Sequence, residues 1–323
     1  MNATDPAGPG SPRATRASEL MLLVVAAIWG SSYGVAKLAL QYVPAMEFVA
    51  LRFVMTFVVL LPALRPLLTG VDRRARLAAG SALGINLLAV LLCESFGVAL
   101  TSAANAAFLI STCVVITPFV EWLMFGKRTS RLMLLCACLS LLGVALLTGS
   151  NGGTGAWARG EFLMLLAAVL RALLVCLTRY HLLRLGMPAL TMTALQSGVA
   201  AAGACALVFI AGTPKLIVSA VAVPAFWGLM LYLACLCTVF AFFAQNFAAS
   251  HVSPSRVSLL LGCEPAFGAV FAVIALNDHL TPTGWIGGAL VVAAAWLATG
   301  AEAPHPSQRE TLRSWLPRWK PNG

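Results

Sequence analysis

Apolar runs of about the 20 residues that an α-helix needs to cross roughly 30 Å of hydrocarbon recur ten times along this chain. They fall at 19–40, 45–67, 77–100, 103–125 and 132–149, then at 160–182, 188–211, 224–249, 253–276 and 283–300. Polar segments between them are short, so no separate soluble domain fits. The pattern predicts an all-α polytopic membrane protein of ten transmembrane helices.

The pattern also repeats. Glu19 aligns with Glu161, Ala26 with Ala168, Trp29 with Arg171 and Lys37 with Arg179, all at an offset of 142. Pro44-Ala45 then meets Pro188-Ala189 and Gly143 meets Gly287 at 144, while Pro118 meets Pro265 at 147. A drift of a few residues is what loop insertions leave in a tandem duplication. The expected organisation is a disordered cytoplasmic N-terminus at 1–18, a first repeat at 19–149, a second at 160–300 and a cytoplasmic tail at 301–323. Five spans per copy make the second copy enter the membrane from the opposite side. Inverted repeats of this kind place a substrate site near the midplane between halves and supply two related arrangements, one open to each side. The predicted fold is therefore two inverted five-helix repeats around a central cavity.

Composition agrees with a bilayer. Hydrophobic residues make up 60% and charged residues 10%, against about a quarter charged in soluble domains. The 21 basic residues outnumber the 11 acidic ones, and their distribution reads as topology. With the N-terminus inside, the inside segments carry Arg13, Arg16, Arg65, Arg73, Arg74, Arg76, Lys127, Arg128, Arg131, Arg179 and Arg184, then Arg309, Arg313, Arg318 and Lys320 in the tail. Outside loops carry Arg159 and Lys215 alone. This bias orients both termini to the cytoplasm and removes nucleic acid as a partner; the expected surroundings are membrane lipids. The first apolar stretch exceeds a signal-peptide core of about 7–15 residues, so no cleavage is expected. Trp315, Leu316 and Trp319 belong to a solvated tail, or rest on headgroups. The nine cysteines all fall within spans, where they pack as small apolar groups; no metal site or cofactor is expected.

Several segments resemble the EamA branch of the drug/metabolite transporter superfamily. They are Ala-Ala-Ile-Trp-Gly-Ser-Ser-Tyr at 26–33 followed by Lys37, the start of the second span from Pro44 to Arg52, and Thr-Ser-Ala-Ala-Asn-Ala-Ala-Phe-Leu at 101–109 leading to Pro118. The second copy adds Glu264-Pro265 and Leu-Thr-Pro-Thr-Gly-Trp-Ile-Gly-Gly at 280–288. The resemblance covers residues 19–300 and implies a multi-pass inner-membrane carrier, often an exporter of small metabolites or drugs. Two departures stand out. Where the family carries a second tryptophan equivalent to Trp29, this chain has Arg171, and where it carries a glutamate after the fourth span, this chain reads Gly126-Lys127-Arg128.

An ionisable side chain at mid-span costs about 2.5–3.5 kcal/mol on insertion scales, so each needs a partner or a wet cavity. Arg171 and Glu264 lie deepest. Facing the cavity, Arg171 would offer a planar donor fork to a carboxylate or phosphate and Glu264 would accept a proton or an amine; the alternative is a mutual ion pair. Glu94, toward the outer part of the third span, is a second candidate with Glu264 for proton coupling. Trp29, Ser32, Tyr33 and Asn105 are candidate substrate contacts, as are Gln245 and Asn246. Glu47 and Arg52 read as structural, and Glu121 and Arg256 as interfacial groups that snorkel. Pro118 and Pro265 remove backbone hydrogen bonds and are candidate paired hinges.

The chain lacks Gly-x-x-x-x-Gly-Lys-Ser/Thr, so the expected function is secondary transport, export of a small metabolite or drug-like compound with candidate proton coupling. A membrane-embedded enzyme or a non-transporting scaffold or sensor are the alternatives. The expected partner is a small-molecule substrate; whether the chain works as monomer or homodimer stays open.

Overall fold

A computed structural model describes residues 12–69, 72–101, 103–126, 130–148, 159–211, 223–276 and 281–300. Every regular element among them is helical. In chain order they are α1 (Pro12–Ala39), α2 (Ala45–Leu60), a 3-10 turn (Leu61–Leu64), α3 (Arg65–Thr69), α4 (Arg73–Leu100), α5 (Ala103–Ser111), α6 (Cys113–Phe125), α7 (Arg131–Thr148), α8 (Arg159–Leu185) and α9 (Ala189–Ala211). There follow α10 (Pro224–Leu231), a π-helical stretch (Tyr232–Phe240), α11 (Ala241–His251), α12 (Pro254–Leu261), α13 (Glu264–Leu276) and α14 (Pro282–Gly300).

Among the described residues, seven segments are long and apolar enough to cross a membrane: Ala14–Ala36, Ala45–Leu67, Arg73–Leu100, Phe108–Phe125, Arg159–Leu185, Ala189–Ala211 and Pro224–His251. The expected fifth and tenth spans are shorter apolar helices, Arg131–Leu146 and Pro282–Ala298, and the expected ninth is split between α12 and α13. Large apolar side chains stand out on the surface, Leu123 and Ile210 each 83% exposed and Trp296 76%. A surface of that kind is soluble only in lipid.

Two expectations are corrected here. Pro12–Ser18, assigned to a disordered leader, is the first part of α1, with proline well suited to the first helical turn. Ala14 and Ser18 are buried there, and the Ser18 hydroxyl donates to the Ala14 carbonyl at 2.8 Å. Residues 1–11 and the tail from 301 onward, with Trp315, Leu316 and Trp319, lie outside the described residues. The second correction concerns the prolines. Pro118 sits inside α6, whereas Pro265 is the second residue of α13, where a proline removes no intrahelical hydrogen bond. They therefore do not occupy equivalent places. The actual interruptions fall at Thr112, between α5 and α6, and at Gly262-Cys263, between α12 and α13.

Helix contacts cross between the two copies. The first helix, α1, packs on α11 and α13, while its counterpart α8 packs on α4 and α6; α2 packs on α9 and α7 on α14. Glycine permits two of these approaches. A Cβ on Gly143 would stand 2.7 Å from the Gly287 carbonyl oxygen of α14, and one on Gly30 would stand 2.6 Å from the Glu264 carbonyl oxygen and 2.7 Å from the Gly268 nitrogen of α13. Such backbone contact is how small residues bind helices in lipid. Gly30→Val is therefore expected to lower the thermal midpoint in detergent, at the upper end of the about 1–3 kcal/mol that overpacking costs. Gly34→Ala on the same helix, with nothing within 4 Å, should be close to neutral. Equal behaviour of the two variants would contradict the close packing of α1 on α13.

Candidate functional site

Four helices meet around Arg171. A guanidinium buried at mid-helix must find anions, and this one finds two: its Nη2 lies 3.1 Å from Oε2 of Glu264 and its Nη1 3.8 Å from Oε1 of Glu94. Its plane also lies over the indole of Trp29, 4.6 Å from ring to Cζ, a contact worth about 0.5–2 kcal/mol depending on desolvation. Glu264 opens α13, where backbone N–H groups left unpaired at a helix start favour a negative charge. The side chains of Arg171 and Glu264 are 10% and 6% exposed and that of Glu94 21%, so Glu94 is the carboxylate that reaches farthest into open space.

That space is a cavity partly open to its surroundings. Arg171, Glu264, Glu94, Trp29 and Ser32 all line it. The rest of its wall is mainly apolar, with Phe48, Leu87, Leu91 and Phe242 prominent. It extends past Trp29 toward Leu40 at the end of α1 and Phe48 at the start of α2. Of the other expected contacts, Tyr33 and Asn105 lie on α1 and α5, with side chains outside the described residues. Asn246 instead joins helices, its amide nitrogen donating to Thr193 and Gln196 at 2.9 Å each.

Arg52, expected to be structural, lines the same cavity. Its Nε donates to the Thr238 hydroxyl at 2.6 Å and its Nη2 to the Cys237 carbonyl at 3.3 Å. The π-helical stretch makes this possible. With i→i+5 pairing, the Thr238 hydroxyl donates to the Leu233 carbonyl at 2.8 Å, and the Cys237 carbonyl is shared between Arg52 and the Trp29 indole N–H, the latter at 2.8 Å. Short π segments inside α-helices are frequent at functional sites for this reason. Gln245, one turn beyond on α11, also lines the cavity; it is 3% exposed and its Oε1 has no hydrogen-bond partner.

At the other end of α1, charged groups tie the helices shut. Glu121 of α6 accepts from the backbone N–H of Ser255 at 3.1 Å and from the Ser255 hydroxyl, capping α12. Arg256 pairs with Glu19 at 3.1 Å and donates to the Ala298 carbonyl at 3.1 Å. Arg179 donates to the carbonyls of Ala249 and Val252 at the end of α11. Glu121, Arg256 and Arg179 are 7%, 4% and 3% exposed, so the snorkelling expected of Glu121 and Arg256 is corrected. Broken backbone between α11 and α12 presents helix ends that need charged caps.

The sequence pattern of the EamA-like transporter family matches residues 16–149 and again 158–300. A protein of Archaeoglobus fulgidus described as an uncharacterized transporter is 28% identical over 277 residues, spanning 86% of this chain and 84% of its own. A second from the same organism, described in the same words, is 28% identical over 211 residues, 62% of this chain and 68% of its own. A solved crystal structure superposes with a TM-score of 0.71 at 20% identity, covering 91% of this chain and 99% of that one; at that identity the likeness is one of fold.

Proposed function

The chain belongs to the EamA-like transporter family, and from that membership we propose that it is a secondary exporter of a small organic compound working by alternating access. In this reading ten helices cross the cell membrane as two inverted repeats, 19–149 and 160–300, with both termini cytoplasmic. One observation carries it. Trp29 and Arg171 align between the copies and stack on each other at 4.6 Å, and Gly143 and Gly287 align and touch. Residues related by a two-fold axis meet their own mates only beside that axis. A pseudo-two-fold passing through the cavity and between α7 and α14 accounts for both contacts, and for the exchanged packing of α1 and α8.

Such an axis makes the two ends of the cavity interconvertible. The cavity lining reaches Leu40 beyond the end of α1, while the start of α1 is tied by Glu19–Arg256 and Glu121–Ser255, and we read the Leu40 end as the open one. With both termini inside, this is the outward-facing state. Glu94, the carboxylate with most access to the cavity, is the group proposed to exchange protons, its release from Arg171 coupling charge to transport.

The test is flux. Proteoliposomes loaded with a mixed extract of small metabolites should release one class of compound faster than protein-free vesicles, as followed by mass spectrometry of the medium. An imposed proton gradient should accelerate that release in the wild type but not in Glu94→Gln, whose exchange without a gradient should persist. No compound released above the protein-free rate would end the carrier reading, and an unchanged gradient response in Glu94→Gln would end the role of Glu94.

A further inference from the structure

The cavity holds two guanidinium groups in different circumstances. Arg171 is engaged by Glu264, Glu94 and the Trp29 ring, so its positive charge is compensated by the protein itself. Arg52 is hydrogen-bonded to neutral oxygens, the Thr238 hydroxyl and the Cys237 carbonyl, with the Glu94 carboxylate across the cavity acting on it from beyond ion-pair distance. Among the described residues no carboxylate forms an ion pair with it. The donors that these two contacts do not use belong to a planar fork that matches a carboxylate or phosphate.

Arg52 is half-buried, and its nearest carboxylate, Glu94, is already shared with Arg171; a guanidinium in that position, held in place by neutral acceptors, is oriented without being fully neutralised. In the wall of the same cavity the Gln245 amide is buried with Oε1 unpartnered. Phe48, Leu87, Leu91 and Phe242 supply the apolar remainder. From this arrangement we infer that the cavity takes an organic anion: a compound whose carboxylate or phosphate sits on Arg52, whose second polar group meets Gln245, and whose apolar body lies against the Phe48 and Phe242 side. Arg171, already neutralised, is the positioning residue of the central cluster; Arg52 selects the ligand. This inference rests on the carrier reading and names the substrate class of the same cavity.

The orientation of the Arg52 fork does not depend on the ligand, because both of its anchors lie on the π-helical stretch. Replacing arginine by lysine keeps the charge and loses the fork. Binding should then weaken even though the electrostatics are preserved.

The experiment uses purified full-length protein in detergent and four probes that share one phenylalkyl body: 3-phenylpropionate, 2-phenylethyl phosphate, 2-phenylethylamine and 2-phenylethanol. Binding is read by thermal shift and by calorimetry. The wild type should bind one or both anions at least about 10 times more tightly than the alcohol or the amine. The ratio of carboxylate to phosphate identifies which anion the site prefers. Arg52→Gln should weaken anion binding by about 10- to 100-fold while leaving alcohol binding within about twofold, and Arg52→Lys should fall between.

Equal binding of all four probes by the wild type, or preference for the amine, overturns the inference without recourse to any variant. Undiminished anion binding by a well-behaved Arg52→Gln assigns selectivity elsewhere and overturns it too. Should Arg52→Gln fail to fold, Gln245→Leu with the four-probe ranking serves in its place, with anion affinity expected to drop severalfold. Proteoliposome flux of a cation or neutral compound alongside absent anion binding would sink this inference and leave the carrier reading standing; absent flux of every class alongside anion binding would do the reverse.

Discussion

Arg171→Ala is expected to lower folding stability by about 3–5 kcal/mol, the usual cost of removing one partner from a buried ion pair, and to abolish transport. The variant leaves Glu264, 5% exposed, without its cation at the start of α13, and it frees Glu94 from the same partner. It also strips the Trp29 ring of its stacked guanidinium, so α1 loses a contact to α8 as well as a charge being orphaned. Thermal unfolding in detergent and size-exclusion behaviour measure the first effect, and proteoliposome flux the second. The double variant Arg171→Ala/Glu264→Gln should recover part of the loss, because the deepest unpaired charge is then gone. Arg171→Lys should fold better than alanine yet remain slow, since an ammonium cannot reach both carboxylates and stack on the indole at once. A stability change below about 1 kcal/mol in Arg171→Ala would show that water, and not the protein, carries these charges.

Glu121→Ala is expected to loosen the tied end of the cavity. Its carboxylate accepts from both the backbone and the hydroxyl of Ser255, and hydrogen bonds to a buried charge contribute about 1.5–3 kcal/mol. If those bonds exist only while this end is closed, losing them shifts the balance toward the opposite state by about 10- to 100-fold. Cys176, fully buried and within electrostatic reach of Glu121 and Arg179, is a natural reporter. With Cys176 as the sole cysteine, a membrane-impermeant maleimide applied from the cytoplasmic side should label the Glu121→Ala background markedly faster than the parent. Identical labelling rates would mean that the cap is static and does not gate the cavity.

How far the sequence announced this site depends on the kind of feature. Arg171 and Glu264 were legible because depth alone forces them to seek each other or water: a charge at the centre of an apolar run has few alternatives. Glu94 followed the same rule. The repeat alignment also held physical content, since Trp29 with Arg171 and Gly143 with Gly287 prove to be contacts. Arg52 reads as structural because the family pattern itself carries an arginine in the second span, and that pattern does not say what the side chain faces. What draws it inward is the spare carbonyl of Cys237, and no hydrophobic period betrays a π-helical stretch. Glu121 and Arg256 were misread for a different reason. Each stands near the end of a span, and only the break between α11 and α12 turns that end into a buried place with helix termini to cap. The prolines misled in the other direction, because the alignment of Pro118 with Pro265 does not coincide with the interruptions at Thr112 and Gly262-Cys263.

The π-helical stretch also sets what kinds of change the cavity can absorb over evolutionary time. Each residue of a helix turns its successors by about 100°, so the extra length accommodated between Tyr232 and Phe240 fixes the angular setting of everything after it on α11. Substitutions at Phe242 or Gln245 alter one patch of wall and leave the rest in place. A single deletion between 232 and 240 would let the segment relax into ordinary α-helix and rotate Phe242 and Gln245 together away from Arg52, while withdrawing the carbonyl that Arg52 and Trp29 share. Descendants of this chain are therefore free to retune what they carry by exchanging side chains, but this stretch must keep its length.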